Sequence, residues 1–251
     1  MQDRLLRRHV FRCPHLGSSL FALLLLATLP SPGRAALLVS SANGNTILRF
    51  GGSTGTFLDP FVSAASGGLS YPEGLAVGPD GNLYVSSPNT QNVLKYNGQT
   101  GAFLGVFASG GGLDPAGLVF GPDGNLYVCS HVPGNVLRFN GQTGALMGVF
   151  ATGGGLTYPT GLVFGPDGSL YVASWDGSQV IRFNGQTGAP IGAFVPAGSG
   201  GRDHAGGLAF GPDGNLYVAS FNTNSVLRYN GQTGAPMGSF ASGSGLNGPL
   251  G

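Results

Sequence analysis

Few side chains in this sequence are equipped for proton transfer, metal binding or ligand recognition. Glu73, Asp114, His131, Asp176, Asp203 and His204 are the acid–base candidates. No two of them share a spacing that pairs a nucleophile with a base, and two histidines are too few for a metal triad without carboxylates. No catalytic residue, metal or cofactor is therefore assigned. Tyr158, Trp175 and Phe221 offer flat apolar area, and His131, Asp176, Arg202, Asp203 and His204 offer polar contacts around them. These eight residues form the expected binding set. Cys129 stands where other copies of the same segment have Ser or Ala, which marks a small buried filler.

All of these residues sit inside a repeated frame, which must position them. The segments GLAVGPDGNLYVSS from Gly74, GLVFGPDGNLYVCS from Gly117, GLVFGPDGSLYVAS from Gly161 and GLAFGPDGNLYVAS from Gly207 start 43, 44 and 46 residues apart. Each is followed by a second stretch of the type VLRFNGQTGALMGVFAT. Short apolar runs bounded by Pro-Asp-Gly and Asn-Gly-Gln-Thr-Gly read as four strands per unit. In the first full unit they are A at Leu75 to Val77, B at Leu83 to Ser86, C at Val93 to Tyr96 and D at Phe103 to Ala108. Strand B is apolar without alternation, as expected of a sheet covered on both faces. Radial stacking of such sheets covers both. The fold class is all-β, a β-propeller of four-stranded antiparallel blades.

The period, the PDGNLYV stretches and the later VLRF or VLRY resemble the repeats of the NHL family and related bacterial propellers over Leu37 to Gly251. The resemblance implies a binding or scaffold module. It also admits a lyase or metal-dependent lactone hydrolase of the streptogramin-lyase or gluconolactonase type. The family's aspartate after strand B is here Ser86, Ser130, Ser174 and Ser220. Its arginine before strand C is replaced by Lys95, Arg138, Arg182 and Arg228 within the strand. These heads are expected to reach a carbonyl or a turn carboxylate while their stems pack between blades.

Antiparallel strands put the A–B and C–D turns on one face and the B–C and D–A loops on the other. The first face is constant, and its Asp80, Asp123, Asp167 and Asp213 read as turn residues. The second varies. After the last serine of strand B come Ala42, Pro88, His131, Trp175 and Phe221, and the D–A loops carry Glu73, Asp114, Tyr158 and the run from Arg202 to His204. Recognition is expected there.

Arg4, Arg7, Arg8 and Arg12, the apolar run Leu20 to Leu29 and the small pair Ala35 and Ala36 lay out a signal peptide over residues 1–35. The expected location is secreted or extracytoplasmic, in the periplasm or at the cell surface, with no membrane span in the mature chain. Six basic and nine acidic side chains remain after residue 35, a net charge of −3. The basic residues form no cluster that could follow a phosphate backbone, so no nucleic acid is expected. The partner is an unknown protein, carbohydrate or small-molecule ligand. The mature domain, 36–251, divides into a partial blade at 37–70, lacking strand A, and full blades at about 74–116, 117–160, 161–206 and 207–250. The unfilled strand implies a chain truncated from six or more blades; a cell-surface protein whose anchor is missing is the structural alternative.

Overall fold

Local sequence writes the strands. Each apolar run of the repeat extends because its Val, Leu, Phe and Tyr residues fit a pleated, covered surface. Each ends where Pro-Asp-Gly or Asn-Gly-Gln-Thr-Gly turns the chain. Gly81 in the first Pro-Asp-Gly turn has φ 74°, a conformation open to glycine at little cost. The computed structural model describes residues 25–27, 36–243 and 245–250.

Those residues form five antiparallel sheets of four strands, each in sequence order. The first contains β1 (Leu25–Ala27), β2 (Ala36–Ser41), β3 (Thr46–Gly51) and β4 (Phe57–Val62). The second contains β5 (Leu75–Val77), β6 (Leu83–Ser87), β7 (Asn92–Tyr96) and β8 (Phe103–Ser109). In the third are β9 (Pro115–Phe120), β10 (Leu126–Ser130), β11 (Asn135–Phe139) and β12 (Leu146–Ala151). In the fourth are β13 (Pro159–Phe164), β14 (Leu170–Ser174), β15 (Gln179–Phe183) and β16 (Pro190–Val195). The fifth holds β17 (Ala205–Phe210), β18 (Leu216–Ser220), β19 (Ser225–Tyr229) and β20 (Pro236–Ser242).

The first strands of successive sheets lie side by side and the last strands lie outermost. Glycine permits the inner approach: a Cβ on Gly117 would press into the carbonyl of Thr160, and one on Gly74 into that of Ala116. Apolar residues form four cores, each shared by two adjacent sheets. Tyr84, Tyr127 and Tyr171 anchor three of them. Tyr127, for example, meets Phe150 of its own sheet and Phe164 of the next edge-on, at 4.7 and 5.1 Å. Burying each such ring stabilises the fold by about 1.5–3 kcal/mol. Among the described residues Tyr217 in the last sheet has only Phe240 in this arrangement, at 4.8 Å, and Phe240 is 61% exposed.

The strand C cations meet the expectation of a structural role. Lys95 lies 2.8 Å from the turn carboxylate of Asp80, and Arg182 lies 3.8 Å from that of Asp167. The tyrosine of strand B joins them, Tyr84 donating to Asp80 at 3.0 Å and Tyr127 to Asp123 at 2.9 Å. Burial alone would raise the Asp80 carboxyl, but hydrogen bonds from Lys95, Asn82 and Tyr84 outweigh it and hold the group at about 2.

One feature of the first sheet corrects the sequence reading. β2 was expected to have no preceding strand, yet Leu25–Ala27 pairs with it, Leu25 opposite Leu38 and Ala27 opposite Ala36. An unpaired inner edge is a row of open backbone groups, and an apolar segment a few residues upstream fills it. The remainder of the expected signal peptide lies outside the described residues. At the other end Leu250 accepts a hydrogen bond from Gly207, alongside β17.

Candidate functional site

The face bearing the B–C and D–A loops is built by a repeated scheme. The last serine of the second strand of a sheet holds the loop that enters that sheet: Ser130 Oγ accepts from Asp114 N at 2.9 Å, Ser174 Oγ from Thr157 N at 2.9 Å and Ser220 Oγ from Asp203 N at 3.1 Å. The next residue, the variable one, is tied to the same loop by its backbone. His131 N donates to Asp114 O at 2.9 Å, Trp175 N to Tyr158 O at 3.2 Å and Phe221 N to His204 O at 3.1 Å.

A second tie crosses between sheets. Side chains of the B–C turns accept from the loop of the next sheet: Asn45 Oδ1 from Tyr71 N at 2.7 Å, Ser178 Oγ from His204 N at 3.0 Å and Asn224 Oδ1 from Gly248 N at 2.7 Å. Tyr71 and His204, and Tyr158 at the corresponding place in its own loop, adopt left-handed backbone, with φ 57°, 57° and 47° respectively. That conformation is uncommon for bulky residues and persists where surrounding structure enforces it, often at functional sites.

The outcome is an aromatic arc over three sheets. The His131 imidazole stacks on Tyr158, with centroids 4.1 Å apart and planes 7° apart. Tyr158 belongs to the fourth sheet, whose Trp175 packs edge-on against His204 at 4.9 Å and lies 5.1 Å from Phe221 in the fifth. Asp203 Oδ1 contacts His204 Nδ1 at 2.6 Å, and Asn222 Nδ2 donates to Asp203 Oδ2 at 3.0 Å. Asp176 is exposed next to Trp175.

At the head of the arc Glu73 Oε2 faces His131 Nε2 across 3.6 Å, longer than a hydrogen bond. Glu73 lies deep in the protein, yet 26% of its side chain reaches solvent. Burial pushes its carboxyl up to about 8, and the Asp114 carboxylate adds to the effect. Burial pushes His131 down to about 4. At neutral pH a protonated acid therefore faces a neutral imidazole, and the two do not form an ion pair. Desolvation also raises the Asp114 carboxyl, against a hydrogen bond from the Val132 backbone.

Seven of the eight expected binding residues lie on this arc or its rim. Arg202 is placed differently. It is 3% exposed, its Nη2 donates to the carbonyls of Ser178 at 2.5 Å and Pro196 at 3.0 Å, and its guanidinium lies 5.5 Å from the Tyr229 ring. It occupies the position after Gly-Gly that the other units give to the buried Leu69, Leu113 and Leu156. Glu73 and Asn222 were outside the expected binding set. Glu73 is the sole glutamate of the chain and stands where other units have Ala116, Thr160 and Gly206, a signal visible in the sequence. Among the described residues no group of three His, Cys, Asp or Glu side chains is placed to hold a metal ion, and no helix is long and apolar enough to cross a membrane.

Comparison with solved structures gives the arrangement its name. A catalytically inactive H270A virginiamycin B lyase from Staphylococcus aureus, crystallised with quinupristin, superposes with TM-score 0.65 over 88% of this chain and 69% of its own, at 16% identity. A streptogramin B lyase structure matches with TM-score 0.63 over 84% of this chain and 65% of its own, at 17% identity. The chain is a β-propeller. Its five sheets are blades, its inner strands line the axis, and the arc lies on the face around that axis. Hydrazine synthase of Kuenenia stuttgartiensis shares the propeller fold with TM-score 0.60 at 18% identity, over 79% of this chain and 60% of its own. The propeller thus spans between about 60% and 69% of the length of these three chains. Residues 63–89, from the loop into the second blade through its second strand, match the strictosidine synthase-like N-terminal family. No functionally curated protein matches the sequence.

Proposed function

We propose that this propeller is an extracytoplasmic binding module that seats a ligand on its variable rim. The observation that supports the reading is the aromatic arc from His131 and Tyr158 to Trp175, His204 and Phe221, held by strained backbone at Tyr158 and His204. Tyr158 is exposed and Trp175 and Phe221 are half-buried, so the arc offers ring area to a ligand from a frame that hardly changes between repeats. The constant face spends its carboxylates internally on Tyr, Lys and Arg, which suits a scaffold. A panel of immobilised glycans and peptides tests the reading. Ligands of the wild-type protein should be lost on Trp175→Ala or Phe221→Ala and retained on substitution of the exposed Asp213. Ligands indifferent to both rim changes contradict it.

A lyase or lactone hydrolase is the second reading, supported by the Glu73 and His131 pair. A carboxyl that titrates near 8 is matched to proton transfer near neutral pH, and the neutral imidazole beside it leaves it uncharged. Turnover of a cyclic ester, abolished by His131→Ala with the fold intact, is its test.

A further inference from the structure

Charge is segregated between the two faces of the propeller. Beyond residue 35 the basic residues are Arg49, Lys95, Arg138, Arg182, Arg202 and Arg228. Arg49 pairs with Asp59, Lys95 with Asp80 and Arg182 with Asp167, while Arg138 acts on Asp123. These strand C cations and their carboxylates leave the constant half of the molecule close to neutral. Arg202 is turned into the interior.

The excess negative charge therefore lies on the variable rim, where Asp114, Asp176 and Asp203 are partly or fully exposed and, among the described residues, no lysine or arginine head is exposed. The ordinary Coulomb attraction of such a rim extends about one Debye length, near 8 Å at physiological salt. Between those carboxylates run the half-buried ring of Trp175 and the ring of Tyr158, 38% exposed with one face taken by His131; aromatic faces attract cations.

We propose that the rim docks a basic polypeptide segment, with lysine or arginine side chains lying over Tyr158 and Trp175 and their heads among Asp114, Asp176 and Asp203. The proposal rests on the binding reading above and narrows it to one class of partner. Extent favours a chain over a single small amine: the arc crosses three blades, more than one ammonium group covers. An extended segment can engage successive positions, each contributing modestly. Arginine is favoured over lysine, because its planar guanidinium stacks on a ring while its edge donates to a carboxylate. The inward Arg202 removes the one positive charge that would repel such a segment.

Calorimetric titration of the full chain with a synthetic peptide alternating Gly and Arg tests this, with Gly-Ser and Gly-Glu peptides and free arginine methyl ester as comparisons. Saturable binding of the Gly-Arg peptide is expected, weakening as salt is added. Trp175→Ala, and separately the Asp176→Asn/Asp203→Asn pair, should each reduce the affinity by about tenfold. Asp213→Asn, on the constant face, should leave it unchanged. Circular dichroism of each variant confirms the fold. Binding no tighter than that of Gly-Ser overturns the proposal, as does binding that Trp175→Ala leaves intact, which reflects net charge alone. Equal affinity for arginine methyl ester overturns the polypeptide in favour of a small amine. A neutral glycan that binds through Trp175 while the basic peptide does not bind overturns the class of partner and leaves the binding reading standing.

Discussion

The rings of His131 and Tyr158 lie face to face, 4.1 Å and 7° apart, across the seam between the third and fourth blades. The stack covers one face of an imidazole that is only 8% exposed, and burial holds His131 near 4. Tyr158→Ala should open it to water and return its titration towards the ordinary 6.5, by about one unit or more. Chemical-shift titration of the His131 ring measures this; an unchanged value assigns the burial to other neighbours.

Glu73 sets a pH dependence of stability. Its carboxyl binds a proton near pH 8 when folded and near 4.5 when unfolded. Between those values the native state holds the extra proton, so stability falls as pH rises. His131 acts in the opposite sense: its folded value of about 4 lies below 6.5, so stability falls as pH drops through that interval. The two effects offset between about 4.5 and 6.5, and only Glu73 acts between 6.5 and 8. Denaturant unfolding should show a decline over that upper window, which Glu73→Gln removes. The variant should be more stable at pH 7 by up to about 3 kcal/mol, less where water screens the site.

Among the described residues Arg202 is a buried cation with no salt-bridge partner, and its Nε and Nη1 have no hydrogen-bond partner. Arg202→Leu restores the residue type of the other three units. A well-packed apolar side chain in place of a buried charge is neutral to stabilising, here by about 1–3 kcal/mol despite the lost carbonyl contacts. Thermal unfolding checks the sign; a fall of that size gives Arg202 a clamping role between the fourth and fifth blades.

The blade-to-blade aromatic contact predicts an order of sensitivity. Tyr127 is wedged between Phe150 and Phe164, whereas Tyr217 has Phe240 on one side. Tyr127→Ala should cost about 3–5 kcal/mol and Tyr217→Ala markedly less. Equal losses measured by denaturant unfolding would contradict the shared-core account.

The strands of the second blade were legible nearly to the residue, because Pro-Asp-Gly and Asn-Gly-Gln-Thr-Gly mark their ends. The observed β5 at Leu75–Val77 is the expected one, and β6 to β8 extend it by a residue at one end. The variable rim was legible too, since antiparallel order alone sorts the loops onto two faces. Contacts across blades were not. Nothing local ties Glu73 to His131, whose meeting depends on how two sheets are stacked. Arg202 misled through its charge, although Gly-Gly-Leu in the sister units marked its position as interior. β1 escaped because its apolar segment also fits a leader.

Trp175 is the only tryptophan of the chain and stands at the centre of the arc, so its fluorescence reports on the rim alone. Titration of the intact protein with any ligand found for it, followed in parallel by Trp175 emission and by calorimetry, is the most direct test. A ligand seated on the variable rim should shift or quench that emission with the same affinity that calorimetry returns. Full calorimetric binding with no change in Trp175 emission would place the ligand elsewhere on the propeller and contradict the account.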